Sequence, residues 1–218
     1  MSEPVVELTG VTVSFGAGTA EARRVLDDLD LTVQRGEIVA VAGRSGSGKT
    51  TLLTLVTGLE APDAGTISVL GRSDRLDELR WSDVALLPQS LGLLDELTIV
   101  ENIALPLRLG TEQPGDDVAE LMERLGIDHL ADRFPDEVSL GEQQRTALAR
   151  AAVVRPRVLV ADEPISHQNH EWAAAMMLLV ADLAETGTAC LLATHNDLAF
   201  SVAQRVLFLR SGRLHDSR

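Results

Sequence analysis

The chain has 218 residues, of which 45% are hydrophobic and 24% are charged, an ordinary composition for one globular unit. Its formal net charge of −14, with no basic block to offset it, argues against a protein that gathers nucleic acid or an anionic membrane surface. The longest apolar run, residues 172–181, is too short to cross a bilayer, so direct membrane insertion is not expected. Cys190 is the only cysteine, which rules out an internal disulfide and suits a reducing cytosol.

The N-terminal part has the alternation typical of strands. Residues from about 5 to 33 alternate in VVELTGVTVSF and again in VLDDLDLTV, with the loop GAGTAEARR between them. A short buried-strand pattern, EIVAVA, follows at residues 37–42, and a helix pattern, TTLLTLVTG, ends at Gly58. The sequence therefore predicts two paired strands, a buried strand and a helix in this order.

Between the buried strand and the helix lies GRSGSGKTT, which matches the phosphate-loop pattern G-x-x-x-x-G-K-[ST] at every fixed position. Its glycines let backbone N–H groups curl round phosphate oxygens, and the ammonium of Lys49 reaches the β- and γ-phosphates. Phosphate would sit at a helix N-terminus, with Thr50 as the expected Mg²⁺ ligand. The predicted nucleotide-binding residues of this loop are Gly43, Ser45, Gly46, Ser47, Gly48, Lys49, Thr50 and Thr51.

Three further apolar strand patterns end in polar side chains. Gln89 follows VALLP, RVLVADE ends in Asp162 and Glu163, and His195 follows LLAT. A lone glutamine or histidine after a strand is usually only polar termination, but strand ends in an open α/β sheet converge on one crevice. We expect Asp162 to hold Mg²⁺, directly or through water, and Glu163 to orient or deprotonate the attacking water.

The pattern becomes helical between about residues 90 and 150. TIVE, residues 98–101, is a capping-box match, and DDVAELMERLG has helical spacing with a glycine stop. Ser139 with Glu142 forms a second capping box, which opens the amphipathic run GEQQRTALARAAVV. The sequence predicts a helical lobe here, after which the parallel core resumes at Arg157.

Five motifs in this order make the chain resemble the nucleotide-binding subunit of an ATP-binding-cassette (ABC) transporter, from about Val5 to Leu214. GRSGSGKT resembles Walker A, Gln89 the Q-loop, VSLGEQQR the signature, VLVADEP Walker B and His195 the switch histidine. The resemblance implies an α/β fold with a P-loop NTPase core and parallel sheet, an N-terminal antiparallel β subdomain and an inserted α-helical subdomain. All of it would form a single nucleotide-binding domain over residues 1–218. The stretch LLPQSLGLLDELTIVENIALPLRL resembles, more loosely, the lipoprotein-release and macrolide-efflux branch and the related cell-division ATPase.

The resemblance also implies how the chain would work. Phe15 matches the aromatic residue that stacks on adenine, and Glu163, His195 and Gln89 are the expected catalytic residues, with Gln89 also at the Mg²⁺. Ser139 and the helix N-terminus at Gly141 would face the γ-phosphate of ATP held by a second cassette, giving a homodimer or heterodimer. Hydrolysis would drive export or lipoprotein release through separate permease subunits, which would hold this cytoplasmic chain at the inner face of the cell membrane.

The chain departs from the family pattern in two places. The signature usually reads S-G-G, and here Leu140 stands between Ser139 and Gly141; if it needs the backbone freedom of glycine, the strain is roughly 1–2 kcal/mol. After Walker B the family usually has S-A-L-D, and here residues 166–169 read SHQN, so Asn169 lacks the usual charge. We expect ATP binding with hydrolysis that is slow, partner-dependent or asymmetric in a heterodimer.

Two other functions compete with a transport ATPase. One is an ATP-gated regulatory module that signals through a membrane partner, as in cell-division ABC ATPases. The other is a soluble ABC protein that acts on nucleic acid or ribosomes, which the acidic charge and the single cassette disfavour.

Overall fold

A computed structural model describes residues 4–16, 23–110 and 116–216 of the chain. The strands, in chain order, are β1 (Pro4–Phe15), β2 (Arg23–Gln34), β3 (Ile38–Ala42), β4 (Ala64–Val69), β5 (Val84–Leu87), β6 (Val158–Asp162), β7 (Ala189–Ala193), β8 (Arg205–Arg210) and β9 (Arg213–Asp216). The helices are α1 (Lys49–Val56), α2 (Ile99–Leu109), α3 (Asp116–Arg124), α4 (Leu140–Ala152), α5 (His170–Glu185) and α6 (Asp197–Val202), with short 3-10 helices at Leu76–Glu78, Asp128–Leu130 and Pro135–Glu137.

The N-terminal strands form an antiparallel sheet of order β2-β1-β4. Along β1 the apolar side chains of Val6, Leu8, Val11 and Val13 are buried and most side chains between them are not, which is the period-2 pattern of a sheet with one face in the core. The predicted antiparallel β subdomain is confirmed, with β4 as a strand that the sequence patterns did not indicate. Most of the loop predicted between β1 and β2, residues 17–22, lies outside the described residues.

The larger sheet has the order β5-β6-β7-β3-β8-β9, parallel throughout except for the antiparallel edge strand β9. Every residue of β3, β6 and β7 is buried, as expected for strands covered on both faces. The register pairs Leu87 with Ala161, Asp162 with Ala193, and Val41 with Ala193. The carboxyl ends of β5, β6, β7 and β3 therefore meet at one edge of the sheet.

Two apolar cores lie on opposite faces of this sheet. Along β6, Val158 and Val160 face the core shared with α1 and the antiparallel sheet, whereas Leu159 and Ala161 face the core shared with α2, α3, α4 and α5. This sandwich fixes α1 against the sheet, so the loop before α1 lies at the edge where the strands end.

The predicted helical lobe is formed by α2, α3 and α4. Both predicted capping boxes are present: Thr98 with Glu101 begins α2, and Ser139 with Glu142 begins α4. In each pair the hydroxyl accepts from the glutamate N–H while the carboxylate accepts from the N-cap N–H, which satisfies two amides left free at the helix start. In the ranges described, no helix combines the length and the apolar character that a membrane span requires.

Candidate nucleotide-binding site

The phosphate loop connects β3 to α1 and closes on itself in this structure. Lys49 Nζ donates to the carbonyl oxygen of Gly43 at 2.9 Å. Gly48 has φ of +107°, and a Cβ there would come within 2.8 Å of Val25 Cγ1, so this turn requires glycine. A Cβ on Gly46 would meet no atom within 4 Å, so the outer part of the loop faces open space where a ligand can approach.

Asp162 and Thr50 join the sheet to the phosphate loop. Asp162 is the last residue of β6 and only 4% exposed. Its Oδ2 accepts a hydrogen bond from Thr50 Oγ1 at 2.7 Å, which brings a carboxylate and a hydroxyl oxygen together beside Lys49. Thr51, the next residue of α1, is buried.

Glu163 is held by the end of the neighbouring strand. Its Oε1 lies 2.8 Å from His195 Nδ1, and its Oε2 accepts from Thr194 Oγ1 at 3.2 Å. The backbone of Glu163 has φ of +51°, a left-handed conformation that is costly for a residue with a Cβ. The two carboxylates at the end of β6 thus have different partners: Asp162 bonds to the phosphate loop and Glu163 contacts His195.

One cleft of about 810 Å³ brings these groups together. Of the predicted site residues, it is lined by Phe15, Gly43, Ser45, Gly46, Gly48, Lys49, Thr50, Thr51, Gln89, Asp162, Glu163 and His195. Phe15 is 49% exposed at the end of β1, which leaves its ring free to stack. Ser47 is the exception within the loop: its Oγ is buried and makes no hydrogen bond within the described part of the chain.

Several residues line the cleft that the sequence did not assign to the site. Arg23 pairs with Phe15 across β1 and β2, and its Nη2 donates to Gly46 O at 3.2 Å. No motif marks Arg23, because only the register of β1 with β2 brings it to the phosphate loop. Ser166 and His167, which belong to the altered SHQN segment, also line the cleft, although the sequence did not assign them to it.

The signature residues Ser139 and Gly141 lie apart from this cleft. Ser139 is exposed at the start of α4, and its hydroxyl donates to Glu142 Oε2 at 2.7 Å. That hydrogen bond lowers the pKa of Glu142 below its ordinary value, because it favours the ionised carboxylate. Ser139 and Gly141 are not among the residues that line the cleft, and the first turns of α4 reach its wall through contacts with His167 and Glu163.

Leu140 does not need the backbone freedom of glycine, so the condition for strain at this position is not met. Leu140 is the first residue of α4, where the backbone is right-handed and helical, so its side chain costs no left-handed conformation. Leu140 therefore differs from the usual glycine only in the size of its side chain, which is 48% exposed at the start of α4. Asn169 has a local role as well: it caps α5 by accepting from Trp172 N at 2.9 Å, a bond that an aspartate would also make.

The parallel sheet and the glycine-rich loop before α1 define a P-loop nucleotide-binding protein. A family model described as ABC transporter matches residues 26–166 of the chain. The chain therefore belongs to the ABC transporter family, as one of its ATP-binding cassettes.

Named relatives agree with this family. The Fe(3+) ions import ATP-binding protein FbpC 1 of Haemophilus influenzae is 35% identical over 95% of this chain and 63% of its own length. The sulfate/thiosulfate import ATP-binding protein CysA of Pseudomonas aeruginosa is 36% identical over 95% of this chain and 64% of its own length. The chain thus spans under two thirds of the length of these two relatives.

The fold matches that of a solved cassette over nearly its whole length. The dimeric structure of the ATP-binding cassette MJ0796 in a post-hydrolysis state, bound to ADP and Pi, has a TM-score of 0.90 with this chain. The two share 26% identity, and the match covers 98% of this chain and 97% of that one. The predicted fold class, with its antiparallel β subdomain, parallel core and helical lobe, is confirmed.

Proposed function

We propose that the chain binds ATP with Mg²⁺, hydrolyses it to ADP and phosphate, and acts as the ATP-binding subunit of a membrane transporter. One observation carries the proposal: Lys49, the Thr50–Asp162 pair and the Glu163–His195 pair all face a single cleft. A cation for phosphate, oxygen donors for a metal ion and a carboxylate base are the three parts that phosphoryl transfer to water needs.

The phosphate loop binds the nucleotide. Its backbone N–H groups and the N-terminus of α1 favour anions, and Lys49 exchanges its bond to Gly43 O for phosphate oxygens. Phe15, which also lines the cleft, offers its exposed ring to the adenine.

Three residues supply the oxygen donors that suit Mg²⁺. They are the hydroxyl of Thr50, the carboxylate of Asp162 and the amide oxygen of Gln89, all hard ligands of the kind this ion prefers. Thr50 and Asp162 already lie within hydrogen-bonding distance, so their oxygens are placed to share one ion. When bound, the ion neutralises charge on the β- and γ-phosphates.

Glu163 handles the attacking water. It accepts the water proton as the oxygen forms a bond to the γ-phosphorus; the bond to the bridging oxygen breaks, and ADP leaves with that electron pair. His195 and Thr194 hold the two carboxylate oxygens of Glu163, which limits its rotation and aims it into the cleft. The 14% exposure of the Glu163 side chain keeps most bulk water from this group.

A second cassette completes the site. The outward-facing start of α4, with Ser139 and Gly141, binds the γ-phosphate held by the partner, so ATP joins a homodimer or a heterodimer head to tail. The dimeric arrangement of the similar cassette structure supports this step. Membership in the ABC transporter family supports a permease as the other partner, which would hold the chain at the cytoplasmic face of the membrane. The net charge of −14 disfavours a nucleic-acid partner.

For the transported cargo we propose export or lipoprotein release, on the resemblance of residues 86–109 to that branch. The two relatives named above are import proteins, so the direction needs a direct test. The chain and its co-purified permease, reconstituted in vesicles, should show ATP-dependent outward movement of cargo from the nucleotide side. Inward movement would refute export, and ATP hydrolysis without any cargo movement would favour a regulatory module instead.

A further inference from the structure

The segment that follows Glu163 is tied to the start of α4 by the side chain of Gln168. Gln168 Nε2 donates to Gly141 O at 2.8 Å and to Gln144 Oε1 at 3.0 Å. Gln168 Oε1 accepts from Arg145 Nη1 at 3.0 Å. Both ends of the Gln168 amide are therefore hydrogen-bonded to residues in the first two turns of α4. The leucine that the family usually has at this position could make none of these bonds.

Gln144 continues this connection to Glu163. It is 1% exposed, and its Nε2 donates to Glu163 O at 2.9 Å and to Ser166 Oγ at 3.2 Å. Its Oε1 accepts from His167 N at 3.1 Å as well as from Gln168. An unbroken path of three hydrogen bonds thus runs from Gly141 through Gln168 and Gln144 to the backbone of Glu163.

The third partner, Arg145, is itself fixed. It is 7% exposed, and its guanidinium lies 4.6 Å from the centre of the Trp172 ring. Trp172 in turn lies in the first turn of α5, where its N–H donates to the N-cap side chain of Asn169. Gln168 therefore joins two rigid helix starts and is not a surface side chain with free rotation.

The backbone of Glu163 depends on such support. Its left-handed φ of +51° persists only where neighbours hold it. Glu163 N donates to Ala193 O at 2.8 Å, and Glu163 O accepts from Gln144 Nε2 at 2.9 Å and from Ser166 N at 3.3 Å. A small rotation at this residue moves the carboxylate away from His195 and from the attacking water. Since reaction rates fall steeply when a base is displaced, placement of this backbone affects turnover more than binding.

We propose that Gln168 is a positioning residue for ATP hydrolysis, which links the start of the signature helix at Gly141 to the backbone of Glu163. The inference rests on the role of Glu163 proposed above. It gives residues 166–169 a function within one chain. They fix the position of Glu163 relative to the N-terminus of α4, which would bind the partner's nucleotide. The segment SHQN thus supports the acid that precedes it.

The test is Gln168→Met, which keeps the length of the side chain and removes all three bonds. We expect kcat for ATP hydrolysis to fall about fivefold to tenfold, with KM and the Kd for ATP within about twofold of the parent. Gln168→Glu keeps the acceptor for Arg145 and loses both donated bonds, so its kcat should fall to a similar extent. A parental kcat in either variant overturns the proposal.

A matched control separates positioning from loss of stability. Gln204 Oε1 accepts from Ile38 N at 2.6 Å, at the opposite end of β3 from the phosphate loop. Gln204→Met should lower the melting temperature and leave kcat unchanged; a fall in kcat equal to that of Gln168→Met overturns the proposal. Glu163→Gln is measured alongside: if it hydrolyses ATP like the parent, the proposed role of Glu163 fails, whereas an inactive Glu163→Gln with a parental Gln168→Met refutes only the positioning role.

Discussion

Leu140 and Asn169 should weaken the ATP-driven closure of two identical cassettes, and restoring the family pattern should strengthen it. The change is Leu140→Gly with Asn169→Asp, made in the Glu163→Gln background so that ATP persists. Leu140 carries no backbone strain, so the expected gain comes from removing a half-exposed side chain where a phosphate should approach the amides of α4. Asn169→Asp keeps the cap to Trp172 N and adds a charge at the expected junction.

The expected change in the free energy of dimer closure follows from these local roles of Leu140 and Asn169. Together the changes should favour the closed dimer by about 1–2 kcal/mol, which is about a five- to thirtyfold rise in its population constant. In the monomer the two changes offset each other: glycine at a helix start costs up to about 1 kcal/mol, and aspartate at an N-cap contributes about 0.3–1 kcal/mol through the helix dipole. The melting temperature of the nucleotide-free monomer should therefore change little.

Sedimentation with and without ATP measures the dimer directly. Leu178→Ala is the matched control, because Leu178 is another exposed leucine, 61% exposed on α5 and far in sequence from the signature. It should leave ATP-dependent dimerisation at the parental level. If the restored variant dimerises no better than the parent, the bulk of Leu140 and the missing charge are neutral and the reasoning is refuted.

Other predictions concern the loop and the core. Lys49→Ala should abolish measurable ATP binding while the melting temperature stays close to that of the parent, because within the described residues the side chain bonds only to carbonyls of its own loop. Unchanged binding in a titration with labelled ATP would remove Lys49 from the site. Burial raises the pKa of the Cys190 thiol to about 12, so iodoacetamide at pH 8 should label it only in denaturant, and rapid labelling of the native chain would contradict its place in β7.

Short-range patterns in the sequence predicted much of the fold and of the cleft. The capping boxes at Thr98 and Ser139 and the phosphate loop at Lys49 depend on neighbours a few residues apart, and so they could be read directly. Gln89 and His195 could be placed because parallel strands bring their carboxyl ends to one edge.

Long-range contacts account for what was missed. Arg23 reaches the phosphate loop through the register of β1 with β2, and β4 joins that sheet from beyond α1. The bonds of Gln168 depend on how α4 packs beside the end of β6, which no local pattern specifies. The motif left open whether Leu140 needs a glycine conformation, and the structure answers this because Leu140, next to the Ser139 N-cap, is an ordinary helical residue.

The central claim is that Glu163 serves the chemistry of a nucleotide held by the phosphate loop. Glu163→Gln tests it most directly, by equilibrium binding of ATP and by phosphate release from the same preparation. We expect the Kd for ATP within about twofold of the parent and a turnover rate lower by at least about a hundredfold, the usual contribution of a general base. A variant that binds ATP and releases phosphate at the parental rate would contradict the account.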